Sequence, residues 1–304
     1  MRLSILYRGP LASCNYACGY CPFAKRRDDR EALARDYEAL ERFVAWVERS
    51  RTDALSVLFT PWGEALIREP YRKALVHLSR LAHVERVAIQ TNLSVDVGFA
   101  ADADPRKLAF WATYHPSEVD RDRFVAKVLG LRGLGIRTSV GLVGLPAHRE
   151  EALALRAALP EDVYLWINAA KRTHGAYGEE ELRFFERIDP LFALNTEHHA
   201  SLGKACATGV DTISVDGDGR VRRCHFVEEE LGRLHDDSFR AKLGPRPCPS
   251  ATCGCHIGYV HLERLRLRDR FDGGVLERVP ADWPQTKKVE SGASVARSST
   301  TTRP

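Results

Sequence analysis

Three cysteines lie close together near the start of the 304-residue chain, in the run Cys-Asn-Tyr-Ala-Cys-Gly-Tyr-Cys. Cys14, Cys18 and Cys21 have the spacing C-x3-C-x2-C, and the aromatic Tyr20 directly precedes the last of them. Three thiolates on one short loop can ligate three irons of a cubic [4Fe–4S] cluster and leave the fourth iron open for chemistry. A structural zinc site would need four closed ligands, and three unrelated core cysteines are the other alternative. The run predicts an iron–sulfur loop.

Composition and charge narrow the class of protein. Apolar residues make up 44% of the chain and charged residues 28%, as in soluble globular proteins. The net charge of +4 is too weak to indicate nucleic-acid binding without a localised basic patch, so nucleic acid is not expected as a partner. No signal peptide is visible and no stretch approaches about 20 apolar residues, so neither secretion nor a membrane partner is expected. These observations predict a cytoplasmic protein whose eight cysteines hold metal or redox clusters rather than disulfides.

Short apolar runs alternate with helical patterns over the first two thirds of the chain. The runs predict strands at residues 3–7, 55–59, 87–91, 108–113, 138–143 and 163–167. The clearest amphipathic helix, between the first two strands, has an apolar face made of Leu33, Tyr37, Leu40, Val44 and Val47. Residues 94–107 show no helical pattern. Such alternation predicts parallel βαβ units that form an incomplete (β/α)6 barrel of TIM type, with the site at the C-terminal ends of the strands.

The remaining five cysteines fall between residues 206 and 255. They are Cys206, Cys224, Cys248, Cys253 and Cys255. Between the first two, an Asp-Gly-Asp-Gly sequence at residues 216–219 separates two short β runs and predicts a hairpin. The same thiolates could instead form a structural zinc knuckle, and His225 and His256 adjoin cysteines as further candidate ligands. The spacing therefore predicts a second metal site.

The pattern C-x3-C-x-aromatic-C resembles the cluster loop of radical S-adenosylmethionine (radical SAM) enzymes. The resemblance implies that Cys14, Cys18 and Cys21 ligate a [4Fe–4S] cluster whose open iron binds SAM. It implies that Tyr20 lies against the adenine, a contact worth about 1–3 kcal/mol by analogy with base stacking. It further implies the same partial barrel, and reductive cleavage of SAM to a 5′-deoxyadenosyl radical that abstracts a hydrogen from the substrate.

Other predicted strand ends resemble segments with which this family binds SAM. Besides Tyr20, the cofactor-binding residues implied by this resemblance are Gly63, Glu64, Thr91, Asn92 and Ser139. Thr-Pro-Trp-Gly-Glu after the second strand is similar to the family's G-G-E segment, with Trp62 in place of the first glycine. Thr-Asn after the third strand is similar to T-N-G, with Leu93 in place of the glycine. His115 and Lys171, after the fourth and sixth strands, are candidates for a catalytic proton acceptor.

The C-terminal cysteines resemble a second module of the same family. The pattern C-x12-G-x4-C from Cys206 through Gly219 to Cys224 is similar to the opening of the SPASM/twitch extension, which binds auxiliary [4Fe–4S] clusters. A full SPASM module needs seven cysteines, so the shorter, single-cluster twitch form fits the five present here. Cys206 and Cys224, together with two of Cys248, Cys253 and Cys255, are then expected to ligate a second [4Fe–4S] cluster.

Together these features predict an α/β enzyme with four segments. They are a radical SAM core barrel at residues 1–197, a twitch-like α+β auxiliary cluster domain at 198–262, a closing helix and linker at 263–284, and a disordered tail at 285–304. The expected reaction is oxidation of a peptide or small-molecule substrate, started by a flavodoxin- or ferredoxin-type reductant. Because the first strand begins at residue 3, no leader-binding domain is expected before the barrel. The alternative is a metal-binding interaction protein, with iron–sulfur or zinc, that performs no turnover.

Overall fold

The computed structural model describes residues 1–23, 26–172 and 174–284. Its strands are β1 (Arg2–Arg8), β2 (Ala54–Phe59), β3 (Val84–Thr91), β4 (Leu108–Tyr114), β5 (Arg137–Val143), β6 (Leu165–Asn168), β7 (His199–Ala200), β8 (Thr212–Asp216), β9 (Arg220–Arg222), β10 (Glu230–Arg233) and β11 (Thr252–Cys253). Its α-helices are α1 (Arg30–Arg49), α2 (Glu69–Arg80), α3 (Arg121–Gly133), α4 (Arg149–Ala158), α5 (Glu179–Glu186), α6 (Phe192–Thr196), α7 (His256–Tyr259) and α8 (Leu267–Arg270). Short 3-10 helices lie at Gly98–Asp102, Pro146–His148, Ser238–Lys242 and Glu263–Leu265.

The strands form a nine-stranded sheet in the order β10-β9-β8-β1-β2-β3-β4-β5-β6, and β7 pairs with β11 in a separate small sheet. Strands β1 to β6 are parallel neighbours in chain order. Helices α1 to α4 occupy four of the five crossovers, and a 3-10 helix occupies the segment without a predicted helix. The predicted partial (β/α)6 barrel is confirmed, although its sixth strand, Leu165–Asn168, begins two residues later than predicted.

The other edge of the barrel is extended by the C-terminal half. Strand β8 pairs with β1 in parallel, and β8, β9 and β10 continue the sheet antiparallel. The hairpin predicted at residues 216–219 is present, with Gly219 at φ 74° in a left-handed conformation that favours glycine. Since β8 shares a sheet with β1, the two predicted domains are joined by backbone hydrogen bonds. Their boundaries stay a prediction.

Helix α1 covers the outer face of the barrel. Its N-cap is Asp29, whose carboxylate accepts a hydrogen bond from the backbone amide of Ala32. Its buried face carries Asp36, Ala39, Leu40, Phe43, Trp46 and Val47. The apolar face predicted from the sequence was partly wrong, because Tyr37 is 45% exposed and bonds Glu41 on the surface. The large rings of Phe43 and Trp46 bury more apolar area than Tyr37 would, and they set the rotation of the helix.

Successive side chains of each strand point to opposite faces of the sheet, and this alternation divides the core into two layers. Side chains such as Ile5 and Tyr7 of β1 pack outward against the helices. The inward-facing side chains form a second cluster inside the barrel, made of Leu6, Leu58, Ala88, Ala109, Trp111, Tyr164, Trp166, Ile257, Leu276 and Val279. The last three come from the C-terminal part of the chain. The barrel interior is therefore partly filled by segments that follow the barrel in sequence.

The C-terminal segment departs from the expected closing helix. Residues 262–271 contain a 3-10 turn and the short α8, interrupted at Arg266, whose φ of 49° is left-handed. A residue in this conformation cannot continue a right-handed helix. The tail predicted at residues 285–304 lies outside the described residues. Among the residues described, no helix has both the length and the apolar composition needed to cross a membrane.

Candidate functional site

The cysteine loop leaves the C-terminal end of β1 and is anchored at its base. The carboxylate of Asp28 accepts hydrogen bonds from the backbone of Ala12 (2.9 Å) and Ser13 (2.8 Å) and from the Ser13 hydroxyl. On the other side, the Glu64 amide donates to the Ser13 carbonyl (3.0 Å). A Cβ at Gly63 would lie 1.9 Å from that carbonyl oxygen, so only glycine fits. Gly63, predicted to bind SAM, thus has an observed packing role at the loop base.

The three loop thiols lie in a polar setting at the barrel mouth. Cys18 is buried, Cys14 and Cys21 are half-buried, and none of them forms a disulfide. The sulfur of Cys14 accepts hydrogen bonds from the side-chain amide of Asn92 (3.7 Å) and the backbone of Tyr16 (3.4 Å). In the part of the chain that is described, no three His, Cys, Asp or Glu side chains are arranged to hold a metal ion.

The loop thiols interact electrostatically with one another. Burial raises the pKa of Cys14, and Glu64 and Cys21 add to the shift. Burial also raises the pKa of Cys18 to about 11, with further contributions from Glu118 and Cys21. Three soft sulfur donors, unpaired by disulfides and within electrostatic reach of one another, fit the protein ligand set of a [4Fe–4S] cluster. Because their raised pKa values keep Cys14 and Cys18 protonated, metal binding at these two thiols would release protons.

Tyr20 and His115 are brought together beside the loop. The Tyr20 hydroxyl lies 2.9 Å from Nδ1 of His115, and the two rings are 5.9 Å apart and nearly parallel. Burial lowers the pKa of His115 to about 4, so its imidazole is neutral at neutral pH. A neutral imidazole can accept a hydrogen bond, but the lowered pKa makes it a weaker base, and the predicted role of His115 as a proton acceptor stays a prediction. The predicted adenine contact of Tyr20 stays a prediction.

The residues after β2 and β3 form one buried network. The carboxylate of Glu64 accepts hydrogen bonds from the hydroxyl of Thr91 (2.7 Å) and the backbone amides of Asn92 (2.5 Å) and Leu66 (3.0 Å). Burial raises the pKa of Glu64 to about 7. The side chain of Asn92 then reaches Cys14. The structure therefore brings together Glu64, Thr91 and Asn92, which the sequence assigned to cofactor binding, directly beneath the cysteine loop.

Ser139 lies inside the barrel, where protein groups engage its hydroxyl. It donates to the backbone carbonyl of Glu277 (2.5 Å) and accepts from the indole nitrogen of Trp166 (3.1 Å). The backbone of this strand approaches the same ring closely, since a Cβ at Gly141 would lie 2.0 Å from Trp166. The hydroxyl of Ser139 thus binds the C-terminal segment inside the barrel through Glu277. Its role in cofactor binding stays a prediction.

Lys171 lies between the barrel and the second cysteine group. Its ammonium donates to the backbone carbonyls of Glu197 (3.0 Å) and Gly254. Burial lowers its pKa, while Cys255 acts in the opposite direction. No hydrogen bond between described residues joins Lys171 to His115. The two candidate proton acceptors are therefore held by different parts of the molecule.

Four of the C-terminal cysteines form one electrostatic group. Cys206 and Cys224 are buried, and Cys248 and Cys253 are half-buried. Burial raises the pKa of Cys224 to about 11, and Cys206 and Cys248 add to the shift. Burial raises the pKa of Cys253 to about 12, and the other C-terminal cysteines add to it. Space here is tight, since a Cβ at Gly258 would lie 2.7 Å from the Cys253 sulfur. Four neighbouring thiols match the protein ligands of an auxiliary cluster or a structural zinc.

Cys255 adjoins this group, because its thiol adds to the raised pKa of Cys253. Its side chain has an exposed surface, yet the protein packed around it raises its pKa. The charged groups that act on its thiol are Arg8, Lys171 and Arg278, and all three lower its pKa. The sequence did not single out Arg8 or Arg278, because an isolated arginine at a strand end or in a C-terminal segment carries no pattern. Asp28 was missed as well, because an isolated aspartate in a loop carries no pattern either.

No protein-family model matches the chain, and no curated protein matches it. Several solved structures do match the chain. Native anSMEcpe with bound AdoMet is 15% identical over 79% of this chain and 83% of its own, with a TM-score of 0.52. The same protein with AdoMet and Cp18Cys peptide is 15% identical over 79% and 82%, with a TM-score of 0.50. SuiB of Streptococcus suis, bound to S-adenosylmethionine, is 13% identical over 80% of this chain and 66% of its own, with a TM-score of 0.55. At these identities the likeness establishes the fold, which is that of radical SAM enzymes.

Proposed function

We propose that this chain is a radical SAM enzyme in which Cys14, Cys18 and Cys21 hold a [4Fe–4S] cluster and SAM. The observation that carries the proposal is a loop at the C-terminal end of β1 that carries three cysteines, none of them in a disulfide, in a partial (β/α)6 barrel. Proteins that share this fold are described with bound AdoMet. When bound, the cluster and SAM supply a 5′-deoxyadenosyl radical for hydrogen abstraction.

The chain's own residues around the loop have positioning roles in this proposal. Asn92 donates to the Cys14 sulfur, which stabilises the thiolate form that metal binding requires. Glu64 ties the ends of β2 and β3 together and holds Asn92 in place. Tyr20 and His115 form one wall of the mouth, where an adenine is expected. Neutral His115 and the partly buried Lys171 are the candidate proton acceptors.

The second cysteine group supports an auxiliary [4Fe–4S] cluster ligated by Cys206, Cys224, Cys248 and Cys253. We leave Cys255 out of this set because its side chain is exposed, whereas those of the other four cysteines are buried or half-buried. Such a cluster supplies an acceptor for the second electron of a two-electron oxidation. The substrate would be a peptide or a small molecule; anSMEcpe, which shares the fold, has been seen with a peptide. A flavodoxin- or ferredoxin-type protein would supply electrons.

Iron analysis and SAM cleavage test the proposal in protein reconstituted without oxygen. Wild-type protein should bind about eight irons, as expected for two cubic clusters. Replacing Cys14, Cys18 and Cys21 together by alanine should remove about half of that iron and abolish formation of 5′-deoxyadenosine. The matched control is Cys255→Ala, which should keep all the iron. Continued SAM cleavage by the triple variant would overturn the assignment.

A structural zinc at the second group is the competing assignment, since four thiols are also a closed zinc ligand set. X-ray absorption at the zinc and iron edges separates the two on protein isolated without oxygen. Iron–sulfur and iron–iron distances support the auxiliary cluster. A tetrahedral zinc with four sulfurs would remove the electron acceptor from the proposal and leave the first cluster in place.

A further inference from the structure

Two large aromatic side chains remain exposed next to the cysteine loop. Phe23, two residues after Cys21, is 43% exposed, and Trp62, directly before Gly63 at the loop base, is 41% exposed. Exposed apolar side chains that are scattered singly need no explanation, whereas contiguous ones next to a functional site mark a binding surface. The contacts of these two residues therefore decide whether they form such a surface.

Phe23 and Trp62 form one surface together with Arg8. The rings of Phe23 and Trp62 are 4.9 Å apart, and the guanidinium carbon of Arg8 lies 4.0 Å from the centre of the Trp62 ring. Arg8 ends β1 and Trp62 follows β2, so the surface lies at the C-terminal ends of these strands. Trp62 also occupies the position where the resembled G-G-E segment has its first glycine. A large exposed ring thus stands where that segment has no side chain.

Arg8 has hydrogen-bonding capacity that the protein does not use. Its Nε donates to the carbonyl of Thr60 (2.8 Å), but neither of its terminal nitrogens donates to a residue that the structure describes. No salt bridge within the described part of the chain includes Arg8. Asp216, its neighbour on β8, pairs with Arg220 and Arg222 instead. A guanidinium held by one Nε hydrogen bond and one indole face presents its outer nitrogens to a planar carboxylate.

The surface extends from the first cysteine loop toward the second cysteine group. On one side, the carbonyl of Phe23 accepts a hydrogen bond from the Cys21 thiol (3.4 Å). On the other side, the Thr60 hydroxyl lies 3.1 Å from Nε2 of His225, the neighbour of Cys224 in the chain. An electron donor needs access to one cluster only, whereas a substrate oxidised through both has to lie between them. This position therefore favours a substrate as the occupant.

We propose that Phe23, Trp62 and Arg8 bind a peptide substrate that carries an apolar side chain beside a carboxylate. The apolar side chain packs on the two rings, and the carboxylate binds the outer nitrogens of Arg8. Rigid aromatic rings bury a large area at little cost in entropy. The surface is open, which suits a peptide chain better than a small molecule, because small-molecule sites enclose most of the ligand. The inference rests on the proposed function only for its statement that the peptide is a substrate.

Blocked pentapeptides test this surface in wild-type protein reconstituted without oxygen. The photoreactive probe is Ac-Ser-Bpa-Asp-Phe-Ser-NH2, in which Bpa is p-benzoylphenylalanine. Mass spectrometry should place its crosslinks in the segments that contain Phe23 and Trp62. Ac-Ser-Phe-Asp-Phe-Ser-NH2 should compete about tenfold better than the same peptide with Asn for Asp, or with Ser for both Phe residues. Equal competition by the three peptides would overturn the proposal, and this comparison does not depend on how any variant folds.

Variants assign the two parts of the recognition. Trp62→Ala should weaken competition by the Phe-Asp-Phe peptide about tenfold or more, and Arg8→Met should abolish the preference for Asp over Asn. The matched controls are Tyr37→Ala, an aromatic residue that is 45% exposed on α1, and Arg80→Met in the last turn of α2. Both controls should behave as wild type. Wild-type competition in Trp62→Ala, or an unchanged Asp preference in Arg8→Met, would contradict the assignment.

Two other occupants give different results. If SAM alone abolishes the crosslinks at Phe23 and Trp62, the surface binds SAM and the assignment to substrate is wrong. If Trp62→Ala slows cluster reduction by reduced flavodoxin and leaves peptide competition unchanged, the surface binds the electron donor instead.

The same samples separate this surface from the proposed function. Selective peptide binding without any 5′-deoxyadenosine formation would retain the surface and reject the radical SAM activity. SAM cleavage without peptide selectivity would retain the activity and reject the surface.

Discussion

Replacing Gly63 by alanine should disturb the cysteine loop through a backbone clash. The added Cβ would lie 1.9 Å from the carbonyl oxygen of Ser13 and 2.9 Å from the carbonyl carbon of Ala12. Real carbon–oxygen contacts stay above about 3 Å, so the loop base and the end of β2 must separate by about 1 Å. This movement breaks the 3.0 Å hydrogen bond from the Glu64 amide to Ser13.

The expected cost follows from these two effects. Overpacking a well-packed site typically costs about 1–3 kcal/mol, and a lost hydrogen bond costs about 1 kcal/mol. The variant Gly63→Ala should therefore lose about 3 kcal/mol of stability, which lowers the melting temperature by about 6–12 °C at 2–4 °C per kcal/mol. Because the loop carries three proposed cluster ligands, the iron content after reconstitution should fall as well.

Thermal unfolding by circular dichroism and iron analysis, both without oxygen, measure these effects. The matched control is Gly19→Ala in the same loop, where an added Cβ meets no atom within 4 Å. Gly19→Ala should keep the wild-type melting temperature and iron content. If Gly63→Ala melts within 1–2 °C of this control and binds as much iron, the close packing described at the loop base is wrong.

Three further outcomes follow from other sites. Because the pKa of His115 is lowered to about 4 in the fold, the protein should lose stability as the pH falls from about 6.5 to about 4, and His115→Gln should weaken this dependence in pH-dependent unfolding experiments. Burial raises the pKa of Asp36 to about 6, so the free energy of unfolding should fall as the pH rises from about 4 to about 6. If Asp36→Asn shows the same fall over this pH range, the reasoning is contradicted. Gly258→Ala places a Cβ 2.7 Å from the Cys253 sulfur and should remove up to about half the iron without abolishing SAM cleavage; full iron content would contradict it.

The six barrel strands could be predicted because their signals are local. Each is a short β-rich run followed by a turn residue, and burial on both faces in a parallel sheet requires such continuous apolar sequence. The hairpin at residues 216–219 was predicted for a similar reason, since its Asp-Gly turn fixes the local backbone. The cysteine spacing is local in the same sense, as all three thiols belong to one loop.

What the sequence did not predict depends on contacts between distant segments. Nothing in residues 272–283 indicates that they enter the barrel, because the contact of Glu277 with Ser139 spans 138 positions. The rotation of α1 was predicted only in part, since the pattern does not reveal how strongly Phe43 and Trp46 outweigh Tyr37.

Strand β1 gives the two cysteine groups a common rigid support. It pairs with β2 on one side and β8 on the other, so that Tyr7 lies opposite both Phe59 and Val215. The first cysteine loop follows β1 directly, while the β8–β9 hairpin leads to Cys224. Adjacent strands are held about 4.8 Å apart by backbone hydrogen bonds. The separation of the two groups is therefore set by strand pairing rather than by a flexible linker.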